Sequence, residues 1–326
     1  MNNNILIADM REGDEFTGYY VLRRCELKEY DGGFRLDIEL SDKSGSVPGV
    51  IWENTHQIRQ QIDKGMVVKV KGHFLTYREM PQVRIDKIRA AEEGEYDPES
   101  FIPSTSKDIH TLETRVNELI ESINEPYLLR LGKLIFENDQ FLKEYIRSPA
   151  GSKWHHPYLG GLLEHSVGVA EICNFVAEKH PELNRDLLVL AALLHDVGKI
   201  KEYSATTMID FTDEGRLEGH VIIGERFVRN MCDRIDDFPS KLRMLLSHLM
   251  LSHQGHKEFS SPVVPMIPEG FVLYYADEID SKLNALGRIT DKTEKDKKDW
   301  SEFVRLLGRF IFVDGSEKPS DSDNNE

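Results

Sequence analysis

Apolar and polar residues alternate from about residue 16 to residue 91. In Phe34-Arg35-Leu36-Asp37-Ile38-Glu39-Leu40 the four apolar side chains fall on one face of an extended strand. Asp42-Lys43-Ser44-Gly45 predicts a turn into Val47 to Trp52, and Asn54 to Ile62 a short helix. Val67-Val68-Lys69-Val70-Lys71-Gly72 and Gln82 to Ile88 complete the order β-β-β-α-β-β, the pattern of a small barrel.

The alternation stops at Glu92. From there to Pro103 acids, a glycine and prolines let neither period persist. This places a linker over 93–105, between one domain at 1–92 and a second at 106–313. Beyond it Leu112, Val116, Leu119 and Ile123 share a helical face behind the cap candidates Ser104 and Ser106. Further helices are expected over 127–137, 161–179, 185–195, 220–235, 240–253 and 269–286, with a last one over 300–310. The second domain therefore reads as all-α. Residues 314–326 are acidic and poor in apolar side chains, the composition of a disordered tail.

A length of 326 residues fits two globular domains. No apolar run approaches the roughly 18 residues of a membrane helix, and the N-terminus lacks the basic and apolar segments of a secretory signal. A cytoplasmic location without a membrane partner is expected. Cys25, Cys173 and Cys232 are odd in number and lack metal-like spacing, which speaks for core thiols and against a disulfide framework. The formal charge of −16 is uneven, because residues 1–92 hold 14 Lys and Arg against 15 Asp and Glu. Only the first domain is then a candidate for a broad phosphate-facing surface. Carboxylates of the second are compatible with phosphate chemistry if they bind cations, which reverse the local field.

The sharpest motif is Leu193-Leu194-His195-Asp196-Val197-Gly198-Lys199. An adjacent His-Asp pair closes an apolar helix just before a glycine, so an imidazole and a carboxylate emerge where the backbone leaves its regular path. That donor pair suits a divalent ion such as Mn²⁺, Fe²⁺, Mg²⁺ or Zn²⁺. It has company: His165, His220, His253 and Asp277 recur at 24–33 residue intervals around it, one on or beside each of five successive predicted helices. A bundle turning these faces inward builds a metal site in its core.

The order His, His-Asp, Asp is similar to the HD-domain metal-dependent phosphohydrolases, and the longer string resembles their two-metal members. The element order of the first domain resembles an OB-fold barrel. Together they give the expected fold class: a multidomain β plus α protein, with a small OB-like barrel followed by an all-α HD-domain helical bundle. That combination resembles the YhaM-type 3'-to-5' exoribonucleases, with support from His155-His156 ahead of Gly160-Gly161-Leu162, from Leu249 to Gly255, and from Ser261-Pro262-Val263-Val264-Pro265 leading to Asp277. Gln254 departs from the pattern, since two-metal HD proteins often carry a second histidine there.

The resemblance implies that His165, His195, Asp196 and Asp277 hold one ion. Asp196 then bridges to a second, held by His220, His253 and either His248 or no further histidine. His248 lies about 140° from His253 around a regular helix, so it is a ligand only if the helix end is distorted, and otherwise an outer histidine. Asp280, one turn after Asp277, is expected behind the ligands. The resemblance implies a divalent cofactor, manganese first, with iron, magnesium, cobalt and zinc also open. Two such ions suit phosphodiester hydrolysis by activating water and stabilising both the attacking and the leaving oxygen. Asp196 is accordingly a catalytic candidate as well as a ligand. Lys199 reads either as a phosphate stabiliser or as a helix C-terminal charge. His155 and His156 read as substrate contacts or as ordinary loop histidines.

OB-folds hold single strands with aromatic platforms and basic side chains. The candidates are Phe34, Trp52, Phe74, Tyr77 and Arg78, of which Trp52 and Phe74 also read as core aromatics. The function expected from the resemblance is a metal-dependent 3'-to-5' exoribonuclease that degrades single-stranded RNA to nucleoside monophosphates, with single-stranded DNA left open as a second substrate. The alternative is an HD phosphohydrolase of small nucleotides or cyclic dinucleotides. An inactive HD domain serving only to bind nucleic acid is disfavoured, because every core ligand is present.

Overall fold

The computed structural model describes residues 4–314 except Glu79 and Ser260. The acidic tail expected over 314–326 lies, from residue 315 on, outside the described residues.

Strands β1 (Glu15–Tyr30), β2 (Gly33–Asp42), β3 (Gly45–Ile51), β4 (Val67–Tyr77) and β5 (Met80–Ala90) close into a barrel in the order β1-β2-β3-β5-β4. Helix α1 (Thr55–Gln61) joins β3 to β4. Antiparallel pairs join β1 to β2, β2 to β3, β4 to β5 and, across the chain, β1 to β4, and a short parallel pairing of Gly49 and Val50 with Val83 and Arg84 closes the ring. The alternation in β2 does what its period predicts: Leu36, Ile38 and Leu40 are buried beside Tyr20, Leu22, Val68, Val70 and Val83.

The second domain contains α2 (Ile109–Glu121), α3 (Pro126–Phe136), α4 (Asp139–Arg147), α5 (Gly161–Lys179), α6 (Arg185–Leu194) and α7 (Lys199–Glu202). A two-stranded hairpin follows, β6 (Tyr203–Ala205) and β7 (Ile209–Phe211). Helices α8 (Asp213–Glu218), α9 (His220–Cys232), α10 (Ser240–Ser252) and α11 (Pro268–Lys295) complete it. All eight residues from Leu187 to Leu194 of α6 are buried, making it the hub against which α5, α10 and α11 pack. A helix apolar all round has no other place.

Four local expectations are corrected. Helix α2 is capped by Asp108, whose carboxylate accepts from the Thr111 amide, while Ser104 bridges to Leu159. Helix α11 runs nine residues beyond Leu286, where residues 300–304 lie along its last turns and Thr293 is buried. Helix α4 lies outside the expected set: Phe141, Leu142, Tyr145 and Ile146 share a helical face, but the segment is only nine residues long. Residues 300–310 form no helix: Gly308 turns the chain at positive φ, and Trp300–Phe312 and Val304–Arg309 bridge across a hairpin-like arm.

The segment between the domains is packed. Phe101 joins Tyr19, Val21 and Val67 of the barrel in a small cluster that also takes in Met208, from the β6–β7 turn. Lys64 pairs with Asp210 at 2.8 Å, and the Thr207 hydroxyl donates to the Gly65 carbonyl. The barrel is thus docked on the hairpin that directly follows α7.

Candidate metal centre

Three breaks in helical regularity bring the site together. Helix α6 ends at Leu194, and His195 and Asp196 follow in the turn to α7. A Cβ on Gly198 would collide with the His220 carbonyl, so only glycine lets the start of α9 come this close to Asp196. Helix α10 ends at Ser252 with His253 as its cap. His165 comes from the second turn of α5, and Asp277 and Asp280 from α11.

Asp196 sits at the centre, and its two oxygens face two different groups. Oδ2 lies 3.3 Å from His165 Nε2 and 3.4 Å from His195 Nε2, and Asp277 Oδ1 approaches His165 Nε2 at 3.3 Å. Oδ1 lies 3.3 Å from His220 Nε2 and 3.6 Å from His253 Nε2. Two clusters with ligand-like spacing result, His165-His195-Asp277 and Asp196-His220-His253. His165, His195, Asp196 and His253 are all buried.

Each imidazole is aimed by its other nitrogen. His165 Nδ1–H donates to Asp280 Oδ2 at 2.6 Å, and His195 Nδ1–H to the Ala192 carbonyl at 2.7 Å. His253 Nδ1–H donates to the Met250 carbonyl at 2.8 Å, and His220 Nδ1–H to Glu202 Oε1 at 3.0 Å. All four therefore present Nε2 toward Asp196, the outer hydrogen bonds fixing tautomer and ring orientation as in metal sites.

The donor set fits divalent ions. Asp196 Oδ1, His220 Nε2 and His253 Nε2 are buried without a hydrogen-bond partner among the described residues. Such groups are costly unless something satisfies them, and a cation between them satisfies all three. Electrostatics agree. Burial opposes the His165 cation, yet hydrogen bonds to Asp196, Asp277 and Asp280 hold its pKa well above the usual imidazole value. Burial likewise opposes ionisation of Asp196, but Lys199 and His195 outweigh it and keep the carboxylate well below its ordinary range.

Other expected residues fall differently. His248 points away from the cluster: its Nε2 accepts from the Met266 amide at 3.0 Å, because α10 stays regular up to Ser252. Lys199 is buried with Nζ 2.5 Å from Asp196 Oδ2 and 3.3 Å from His155 Nε2, so it holds the Asp196 carboxylate and not the helix terminus. His156, at positive φ, is buried with Nε2 3.6 Å from Asp280, and its amide donates to Asn284. His155 stands beside His165 with its pKa pushed well down by burial and then by Lys199. Glu202 escaped notice in the sequence, since nothing local links it to a histidine 18 positions later.

On the barrel Trp52 is exposed, with Tyr30 edge-on at 5.4 Å and the Arg35 guanidinium over its ring. Phe34 is exposed against His56, and Tyr77 is exposed under Arg78 in the β4–β5 turn. Phe74 is corrected as a platform: it is half-buried against the barrel core. Tyr30 is an aromatic that the sequence pattern did not single out.

Gly168 offers a test of the outer hydrogen bonds. A Cβ there would strike Asp280 Oδ1, the end of a movable side chain. Gly168→Ala should keep the fold, since alanine favours a helix by about 1 kcal/mol. It should also weaken metal binding by about 10- to 100-fold by pushing Asp280 off His165. Metal titration beside a thermal melt checks both; unchanged affinity would remove Asp280 from the site.

Residues 162–282 match the HD domain family model, and residues 18–91 match that of the OB-fold nucleic acid binding domain. Among solved structures, the second OB-fold domain of replication protein A from Methanococcus maripaludis is 17% identical, over 28% of this chain and 99% of that one, with a TM-score of 0.24. The HD domain of phosphodiesterase PgpH from L. monocytogenes is 17% identical, over 53% of this chain and 85% of that one, with a TM-score of 0.30. Scores this low add nothing to the fold described above. No helix among the described residues is long and apolar enough to cross a membrane. A family match at each domain and a buried His/Asp cluster with unsatisfied donors together make this chain an HD-domain phosphohydrolase joined to an OB-fold nucleic-acid-binding domain.

Proposed function

We propose that the protein is a metal-dependent 3'-to-5' exoribonuclease acting on single-stranded RNA. The observation that carries the reading is the shared carboxylate of Asp196, one oxygen turned to each of two His/Asp clusters, on a chain that also bears an OB-fold barrel. His165, His195, Asp196 and Asp277 would hold one ion, and Asp196, His220 and His253 the other. Ions so held supply Lewis acidity at the phosphoryl oxygens and lower the pKa of water. The chain's own part is to orient: Asp280 and Glu202 set the imidazoles, and Lys199 steadies Asp196. Exposed Trp52, Tyr30, Phe34 and Tyr77 would stack bases, and Arg35 and Arg78 would meet phosphates. The preference for RNA and the direction of cleavage rest on the resemblance of the motif string and domain order to the YhaM-type enzymes.

The test is a time course with 5'-labelled single-stranded RNA and Mn²⁺, resolved to single nucleotides. A descending ladder of labelled products, absent with Asp196→Asn, is expected. Intact RNA alongside hydrolysis of mononucleotides or cyclic dinucleotides would overturn the reading. In the same system Trp52→Ala should weaken single-strand binding about tenfold, the loss of about one stacked base. Hydrolysis of a dinucleotide should be unchanged, and anisotropy titration checks the binding arm.

A further inference from the structure

Helix α11 shows two opposed faces. Leu273, Ala276, Ser281 and Ala285 are buried toward the bundle, where Asp277 and Asp280 join the metal cluster. On the opposite arc Phe271, Tyr275, Ile279 and Leu283 follow one another at four-residue steps and are 48–63% exposed. Residues four apart adjoin on a helix, so these side chains form a continuous ridge about 18 Å long. A soluble helix normally places charge there.

The ridge does not end alone. Six residues beyond Leu283, Ile289 and then Lys292 and Thr293 wall a 170 Å³ cavity with Trp300, Phe303 and Val304, so the arm of residues 300–313 packs onto the last turns of the same helix. The arm is held by two isolated bridges and by the ring pairs Trp300–Phe312 and Phe303–Phe310. Its large apolar side chains, Trp300, Phe303, Leu306, Phe310 and Phe312, are 52–72% exposed. A two-stranded hairpin with its apolar groups in water is marginal by itself.

We infer that the α11 ridge and this arm form one surface by which the chain associates with a second copy of itself. At about 200 Å² for a large apolar side chain, the exposed parts amount to roughly 1,000 Å². That exceeds the largest patch usual on a monomer, about 300–600 Å², and matches the roughly 800 Å² each partner contributes to a stable interface. Residues 315–326, Gly-Ser-Glu-Lys-Pro-Ser-Asp-Ser-Asp-Asn-Asn-Glu, contain no large apolar side chain and do not match such a surface. Because α11 also carries Asp277, the surface lies on the back of a helix that builds the metal cluster.

The test is the mass of the full chain by light scattering over about a hundredfold dilution, with hydrogen exchange read over 300–313. A dimer or larger assembly is expected, with exchange in the arm speeding up on dilution as mass action requires. Leu283→Glu on the ridge and Phe310→Glu on the arm, each with an unchanged circular dichroism spectrum, should each shift the mass to that of one chain. A wild-type chain that stays monomeric at every concentration overturns the inference. So does an assembly whose mass neither variant changes. Neither outcome depends on which phosphate ester the protein hydrolyses.

Discussion

Asp196→Asn is expected to reduce hydrolysis by about 10⁴-fold or more, the scale seen when a central catalytic group is removed. One residue has this effect because its two oxygens serve different clusters, with His165 and His195 at Oδ2 and His220 and His253 at Oδ1. The amide keeps the shape but offers only one oxygen and no charge, so metal should be lost from both clusters together. A stability cost follows as well. Lys199 is buried with its ammonium on Asp196 Oδ2, and removing one member of a buried ion pair costs about 3–5 kcal/mol. Metal content by elemental analysis and a thermal melt of the chelated protein check the two effects. Retention of metal at wild-type stoichiometry would show that Asp196 does not bridge.

Metal binding itself is the second large effect. In the chelated protein the buried Asp196 Oδ1, His220 Nε2 and His253 Nε2 have no partner among the described residues, and a bound cation removes that penalty. A ligand at about a thousand times its Kd stabilises by about 4 kcal/mol, which for a domain of this size raises Tm by about 10 °C. Mn²⁺ should produce that shift and a chelator should reverse it.

Protons should move with the metal. A ligating imidazole must be neutral, and His165 in the metal-free protein has its pKa raised well above the ordinary value by its three carboxylate neighbours acting against burial. Metal binding should therefore displace a proton from it, and calorimetry in buffers of different ionisation enthalpy should report proton release. His253 is pushed below its ordinary value by burial and adds none. The sign for stability is opposite to that for metal. A raised folded pKa stabilises fully below about pH 6.5 and loses that contribution as pH rises through the folded value. Acid should thus favour the metal-free state and weaken metal affinity. No uptake or release of protons at pH 7 would mean that His165 is already neutral.

Spacing along the chain already reveals the period of most elements and the identity of the candidate ligands. Leu36, Ile38 and Leu40 had to line a barrel interior, because a strand places every second side chain on one face. His195 and Asp196 had to emerge at a helix end, because the apolar run stops at Leu194. Such features are local, and spacing alone exposes them. Tertiary structure decided what depends on distance across the chain. Glu202 became the partner of His220 only because Gly198, at the start of α7, lets the first residue of α9 approach closely. His248 and His253 share one helix, yet only the residue at its end reaches Asp196, because a regular helix turns the other toward Met266. Phe34 and Phe74 have the same side chain on similar strands. One is exposed at a strand end and the other is half-buried against the core, because burial is set by which strands and helices lie opposite, and alternation is blind to that.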